Sequence, residues 1–417
     1  MPVKIRILSA ANKHMQRLGY LKLLTHHTSR TETSSITKLG GQLVEATMRR
    51  IRIEPPFSRA LADYVQYRLT GGLYAGVREA VLSQKPTATS VELQDLYLCD
   101  PKVPSNTGKL NDSSREKYPY FGTALDLIKS GTWSLMTRGL LLLHLTPKEE
   151  LASFETYQPA WNPLLLTREQ SALLLFCFVD NDSEILFPLF QKLTEFSKTF
   201  DEREAGDLLP TIIRSAVSTL NKGSLSFEER SRLAHLSKVA NTIEQYRGRS
   251  DAGTTAREVA CRVRLEPFCD LGLLKKPDPH RFIYELTPAF TSLMTNWRGA
   301  DATDDFLENR FFAMLARMHG IPVKTASEAE ARAALEQAGD VLKSTLGYSP
   351  IRDCSLLAGI RLLFDHQRVL ELGASFNTLR DWQKAAPETV RFTVDRMGEL
   401  AYVKFLKPTA QPTPVKP

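Results

Sequence analysis

Arg257, Arg262 and Arg264 fall within one stretch, TTAREVACRVRLEPFCDLGLLKKPDPHRFIYELTP (254–288), whose apolar residues recur at helical spacing. Guanidinium groups on one helix suit charge-assisted, forked hydrogen bonds to phosphate oxygens. Lys275, Lys276, His280 and Arg281 follow on a proline-broken tip, before the strand-like FIYEL. Two further groups carry the same chemistry. Arg49, Arg50 and Arg52 alternate with apolar residues in TMRRIRI, and Asn377, Arg380, Gln383 and Lys384 space themselves along FNTLRDWQKA.

Bond-making chemistry leaves no comparable trace. The chain has no GxxxxGK[ST] phosphate loop, no HExxH and no GxSxG. Asp395, Glu399 and Lys404 have nuclease residue types, but an acid-x-Lys pair is needed and Glu399 and Lys404 are five apart. HMQR (14–17) lacks the partners a recombinase requires. His26-His27 reads as a solvated loop pair, and DATDD (301–305) as an acidic helix start. No catalytic residue, metal ligand or cofactor is therefore assigned, although an enzyme with an unrecognised site stays open.

Composition narrows the partners. The net charge is +7 over 417 residues, and it is concentrated at the N-terminus. Residues 1–59 hold eleven Lys/Arg against three acids, so the rest of the chain sums to −1. A concentrated basic segment attracts polyanions, of which nucleic acid is the commonest. Residues 1–31 are also basic, acid-poor and Ser/Thr-containing, as organellar transit peptides are. A third reading is a basic folded face with no polyanion partner. Five cysteines, none in CxxC, suit buried free thiols in a reducing, cytoplasmic setting. No apolar run approaches the ~20 residues that span a bilayer.

The elements that would position the basic groups are mostly helical. Thr167/Gln170 and Ser327/Glu330 form capping boxes. They open helices at LLLFCF and along an alanine-rich run to Leu346. DNDSEILFPLFQKL starts another helix at an Asp/Ser cap, followed by helices over 205–221 and 228–246. Further helices are expected around 304–318, 355–372 and 376–385. LLLLHLT (140–146) reads as a strand. VRFTVDR-MG-ELAYVKFL reads as a hairpin, with Val390, Phe392 and Val394 alternating on one arm. In the opening stretch, Val263, Phe268 and Leu271 mark a buried face. Arg257, Cys261 and Arg264 fall in one row on the opposite face, with Glu258, Arg262 and Glu266 beside them. The expected boundaries are a basic segment at 1–56, domains at 57–166, 167–300 and 301–406, and a polar tail at 407–417.

The order helix, helix, helix, hairpin over 206–288 resembles the winged-helix superfamily. The residues that carry it are Leu265, Phe268, Leu271, Gly272, Leu273 and Leu274, then Tyr284, Leu286 and Thr287. The order recurs at 328–406, and a third, more elaborate candidate is 57–166, with LLLLHLTPKEELASFETYQ as its wing. The resemblance implies a mainly α fold of tandem winged-helix modules with small β-hairpins. It further implies that Arg257, Arg262 and Arg264 face bases or phosphates, with Lys275, Lys276 and Arg281 on the wing. The expected function is non-catalytic binding of nucleic acid, double-stranded DNA ahead of RNA. The chain would act as a cytoplasmic subunit, with other protein subunits, of a DNA-processing or bacterial anti-phage assembly, and without membrane contact. The alternative is a scaffold whose winged helices bind proteins.

Overall fold

The computed structural model describes residues 18–30, 117–148, 166–196, 199–221, 223, 225, 227–245, 253–277, 282–394 and 400–406, with only the backbone at 20, 117, 228, 232 and 253–260. The basic cluster at 49–52, the expected boundary at 56/57 and the 407–417 tail lie outside these residues. The chain divides into two compact units, 1–298 and 299–417. The described part is mainly helical, with two small antiparallel sheets of three strands. Among the described residues no helix is long and apolar enough to cross a membrane.

In the first unit, α1 (Gly19–Arg30) packs on α2 (Lys117–Ala124) and α3 (Thr137–His144). The segment expected as a strand is thus the helix α3, and the wing expected from 140 onward begins inside it. A short apolar run has no periodicity to separate the two states. His26 and His27 likewise belong to α1 rather than a loop, and His26 is buried. The next helix, α4 (Arg168–Leu193), runs unbroken for 26 residues. Its capping box is as expected, with Gln170 N donating to Thr167 Oγ1 at 3.1 Å and Thr167 N donating to Gln170 Oε1 at 2.9 Å. DNDS does not start a second helix but lies in the middle of this one.

β1 (Thr199–Asp201) leads into α5 (Glu202–Leu220), α6 (Phe227–Gln245) and α7 (Gly253–Asp270). The return is β2 (Leu274–Lys275) and β3 (Ile283–Leu286), with α8 (Pro288–Arg298) closing the unit. The strand order is β1-β3-β2. The core is aromatic. Phe268 of α7 meets Phe190 and Phe178 of α4 at ring distances of 4.7 and 5.3 Å, and Phe190 meets Phe290 of α8 at 5.0 Å.

The second unit holds α9 (Thr303–Asn309), α10 (Phe311–Met318), α11 (Glu328–Leu342), β4 (Ser349–Pro350), α12 (Ile351–His366), α13 (Leu372–Ala385), β5 (Val390–Val394) and β6 (Leu400–Phe405). Residues 304–318 thus form two helices, broken at Arg310. α11 stops at Leu342, short of Leu346, and Gly347 takes a left-handed φ of 79° in the turn beyond. The hairpin is as expected, and β4 joins it in the order β4-β6-β5. Gly339 of α11 leaves room for the Phe405 ring, which also meets Trp382 at 5.6 Å.

Glu371 ties α13 to α10. Placed just before α13, its carboxylate accepts from Phe312 N at 3.0 Å and Ala313 N at 2.7 Å, in the first turn of α10. Burial pushes its carboxyl up to about 7, against the downward pull of those two amides and of Arg317. A carboxyl raised on folding favours the folded state while protonated, and that contribution disappears as pH rises through the folded value. Thermal unfolding of the full chain is therefore expected to show stability falling between about pH 4.5 and about pH 7. Glu371→Gln should flatten that fall, and an identical slope in wild type and variant would refute the assignment.

Candidate nucleic-acid interface

The helix singled out for phosphate contact, α7, is enclosed on the side expected to face solvent. Cys261, Arg264, Glu266, Cys269 and Asp270 are buried, as are Val263, Leu265 and Phe268. The expected division into one buried and one open face therefore fails over the second half of α7. The reason is that α4 covers one side while α5 and α6 cover others.

Each described cation of this region has an acid. Arg264 makes a forked pair with Asp182 of α4, Nε to Oδ2 at 2.7 Å and Nη2 to Oδ1 at 3.1 Å. Only 2% of the Arg264 side chain and none of the Asp182 side chain is exposed. Two residues earlier on α4, Asp180 accepts from Arg138 Nη2 of α3 at 2.6 Å. The other arm of Arg138 reaches Asp126 at 3.4 Å. Arg262 pairs with Glu202 at the start of α5 and lies over the Phe282 ring, 3.4 Å from its centroid. Lys276 Nζ lies 4.3 Å from the same centroid and 3.4 Å from Glu266 Oε1. Tyr284 donates to that Glu266 oxygen at 2.7 Å, and burial with the adjoining carboxylate raises the Tyr284 hydroxyl well above its ordinary value. Lys275 meets Glu285 across the strands at 3.0 Å. Asp270, at the end of α7, accepts from Leu18 N at 2.9 Å and so anchors the start of α1.

Arg257 lies in the half of α7 where only the backbone is described, and Arg281, Arg49, Arg50 and Arg52 lie outside the described residues. The C-terminal candidates are placed differently. Asn377, Arg380, Asp381 and Lys384 occupy the exposed face of α13, while Leu372, Ser375 and Leu379 face inward. Gln383 is half-buried. Arg380 lies over Phe376 at 5.5 Å, and Lys384 meets Asp381 at 3.3 Å, with both partners largely solvated. The N-terminal end of α13 is covered, since a side chain at Gly373 would meet Asn309 at the end of α9.

Sequence reasoning missed the acids that hold these arginines. Asp182 and Arg264 are 82 residues apart, Asp180 and Arg138 42, and Glu202 and Arg262 60, so no local pattern pairs them. It also passed over Arg391 and weighed Lys404 only as a nuclease residue type, whereas alternation along the hairpin places both on its outer face.

Among the described residues, no three His, Cys, Asp or Glu side chains gather to hold a metal ion. Cys177, Cys261, Cys269 and Cys354 are buried free thiols, as expected. Burial pushes the Cys261 thiol far up and the Cys354 thiol up to about 12, away from the nucleophilic thiolate. Compared with family models, curated proteins and solved structures, the chain matches none of them.

Removing one member of a buried pair takes the forked partner from a charge held in the interior. Arg264→Ala should therefore destabilise the full chain by about 3–5 kcal/mol. Lys275→Ala, whose pair with Glu285 is part-exposed, should cost under about 1 kcal/mol. Urea unfolding followed by circular dichroism compares the two, and equal small losses of stability would contradict the burial argument.

Proposed function

We propose that this chain binds nucleic acid without catalysing a reaction, as a subunit of a larger DNA-handling assembly, and that its C-terminal unit makes the directed contact. The carrying observation is the exposed face of α13. It sets Asn377, Arg380 and Lys384 side by side on the third helix of an arrangement running helix, strand, helix, helix, hairpin. With the sheet order β4-β6-β5, this succession supports a winged-helix reading, in which the third helix and the hairpin approach the duplex. Because α9 covers the first turn of α13, contact would come from its middle and end. The paired Asp381 lowers the net charge of this face, so the basic segment 1–59 would supply much of the sequence-independent attraction.

A second reading has its own support. The first unit follows a related order, with β1 before three helices and a β2-β3 return. Its third helix, however, spends Arg262 and Arg264 on Glu202 and Asp182. A winged-helix module with its reading helix so enclosed would serve as a protein-packing element, which favours a scaffold role for that unit.

The test is fluorescence anisotropy of the full chain with a duplex of about 30 bp across a salt series. Arg380→Ala with Lys384→Ala should weaken binding several-fold and lower the salt slope by about one for each phosphate no longer neutralised. Binding with an unchanged slope would remove α13 from the interface. Absence of any duplex binding at low salt would overturn the proposal in favour of the scaffold.

A further inference from the structure

The two three-stranded sheets each set a lysine of the hairpin opposite a charged residue, of opposite sign in one and of like sign in the other. In the first, Lys275 stands opposite Glu285, and the two form an ion pair of 3.0 Å. In the second, Arg391 of β5 stands opposite Lys404 of β6, so two cations face each other. Like charges directly opposite on a sheet are destabilising. Among the described residues no acid relieves this pair. Arg391 is exposed and makes no hydrogen bond or ion pair with them. Lys404 Nζ donates to the Leu346 carbonyl at 3.0 Å and lies 5.2 Å from the Tyr348 ring centroid, with no carboxylate partner among them. Several other cations of the same unit do have acids, among them Lys343 with Asp340 and Arg368 with Glu330.

Strand alternation puts Arg391, Thr393, Tyr402 and Lys404 on the outer face, while Val390 and Val403 are buried on the other. Tyr402 is 41% exposed and makes no ring contact or hydrogen bond with the described residues. It stands opposite Thr393 and two residues from Lys404, about 7 Å along the strand. An open aromatic ring next to two cations that meet no acid among the described residues is the combination that binds single strands, with the cations on phosphate and the ring under a base. A duplex keeps its bases stacked and would leave the ring unused. An acidic peptide would satisfy the cations but likewise offer the ring nothing.

We propose that the outer face of the β4-β6-β5 sheet, built on Arg391, Lys404 and Tyr402, is a second binding surface, and that its ligand is single-stranded nucleic acid. This surface lies on other elements than the exposed face of α13 and does not depend on the duplex reading.

The experiment measures anisotropy of the full chain with a labelled oligothymidylate of about 20 nucleotides and with an abasic phosphodiester chain of equal length. Arg391→Gln with Lys404→Gln should weaken binding to both by about tenfold. Tyr402→Ala should weaken binding to the oligothymidylate by a similar factor and leave the abasic chain unaffected, while Tyr402→Phe keeps both. Thermal unfolding checks that the variants stay folded, and the solvated positions make that the expected result. Unchanged oligothymidylate affinity in the charge variant overturns the proposal. So does equal binding of the two chains, which would mean general polyanion attraction, and so does equal competition by polyglutamate. Duplex affinity measured alongside on the Arg380→Ala/Lys384→Ala variant reports on α13 separately.

Discussion

Two carboxylates in the middle of a buried helix constrain the first unit more than any other feature. Asp180 and Asp182 sit in α4 with no exposed surface, flanked by Phe176, Phe178 and Ile185. An ionised carboxylate taken from water costs several kcal/mol unless a cation and further hydrogen bonds replace the lost solvation. Arg138 and Arg264 provide them, and in doing so they decide where α3 and α7 must lie. α7 can satisfy Asp182 only by turning Arg264 inward. The same placement brings Phe268 against Phe178 and Phe190. Charge and aromatic packing thus select one rotation of the helix.

That rotation has a functional consequence. A basic residue paired in the interior is unavailable to phosphate unless the pair is broken, at a cost comparable to much of a domain's net stability. The two units therefore spend similar residues in different ways. In the first, the described cations of the third helix and hairpin, Arg262, Arg264, Lys275 and Lys276, meet Glu202, Asp182, Glu285 and Glu266. In the second, Arg380 and Lys384 stay at the surface, and Arg391 and Lys404 meet no acid among the described residues. Surface charge of this kind is what the proposed contact of the second unit with nucleic acid draws on.

Elements are legible in the sequence where local physics decides them. Capping boxes at Thr167 and Ser327 involve residues three apart, and the hairpin arms at 390–394 and 400–405 announce themselves by alternation. Elements that distant residues decide are not legible in this way. Asp180, Asn181, Asp182 and Ser183 are strong helix starters, so DNDS looks like an N-terminus; Arg138 and Arg264, far off in sequence, help make it tolerable mid-helix. Leu140–Leu143 carries no period at all, and tertiary packing settles it as helix. The basic row on α7 has the composition of a phosphate site and also of a buried ion-pair network. Composition cannot separate the two, because the acids that choose between them belong to other helices.

The most direct test is a double-mutant cycle on Asp182 and Arg264, followed by chemical denaturation of the full chain. Asp182→Leu and Arg264→Met each take the forked partner from a buried charge, so each should be strongly destabilising. The double variant removes both charges and should be more stable than either single one, giving a coupling energy of at least about 2 kcal/mol. Additive effects would mean that the two side chains do not hold each other. The enclosed arrangement of α7, and with it the assignment of nucleic-acid contact to the second unit, would then lose its physical basis.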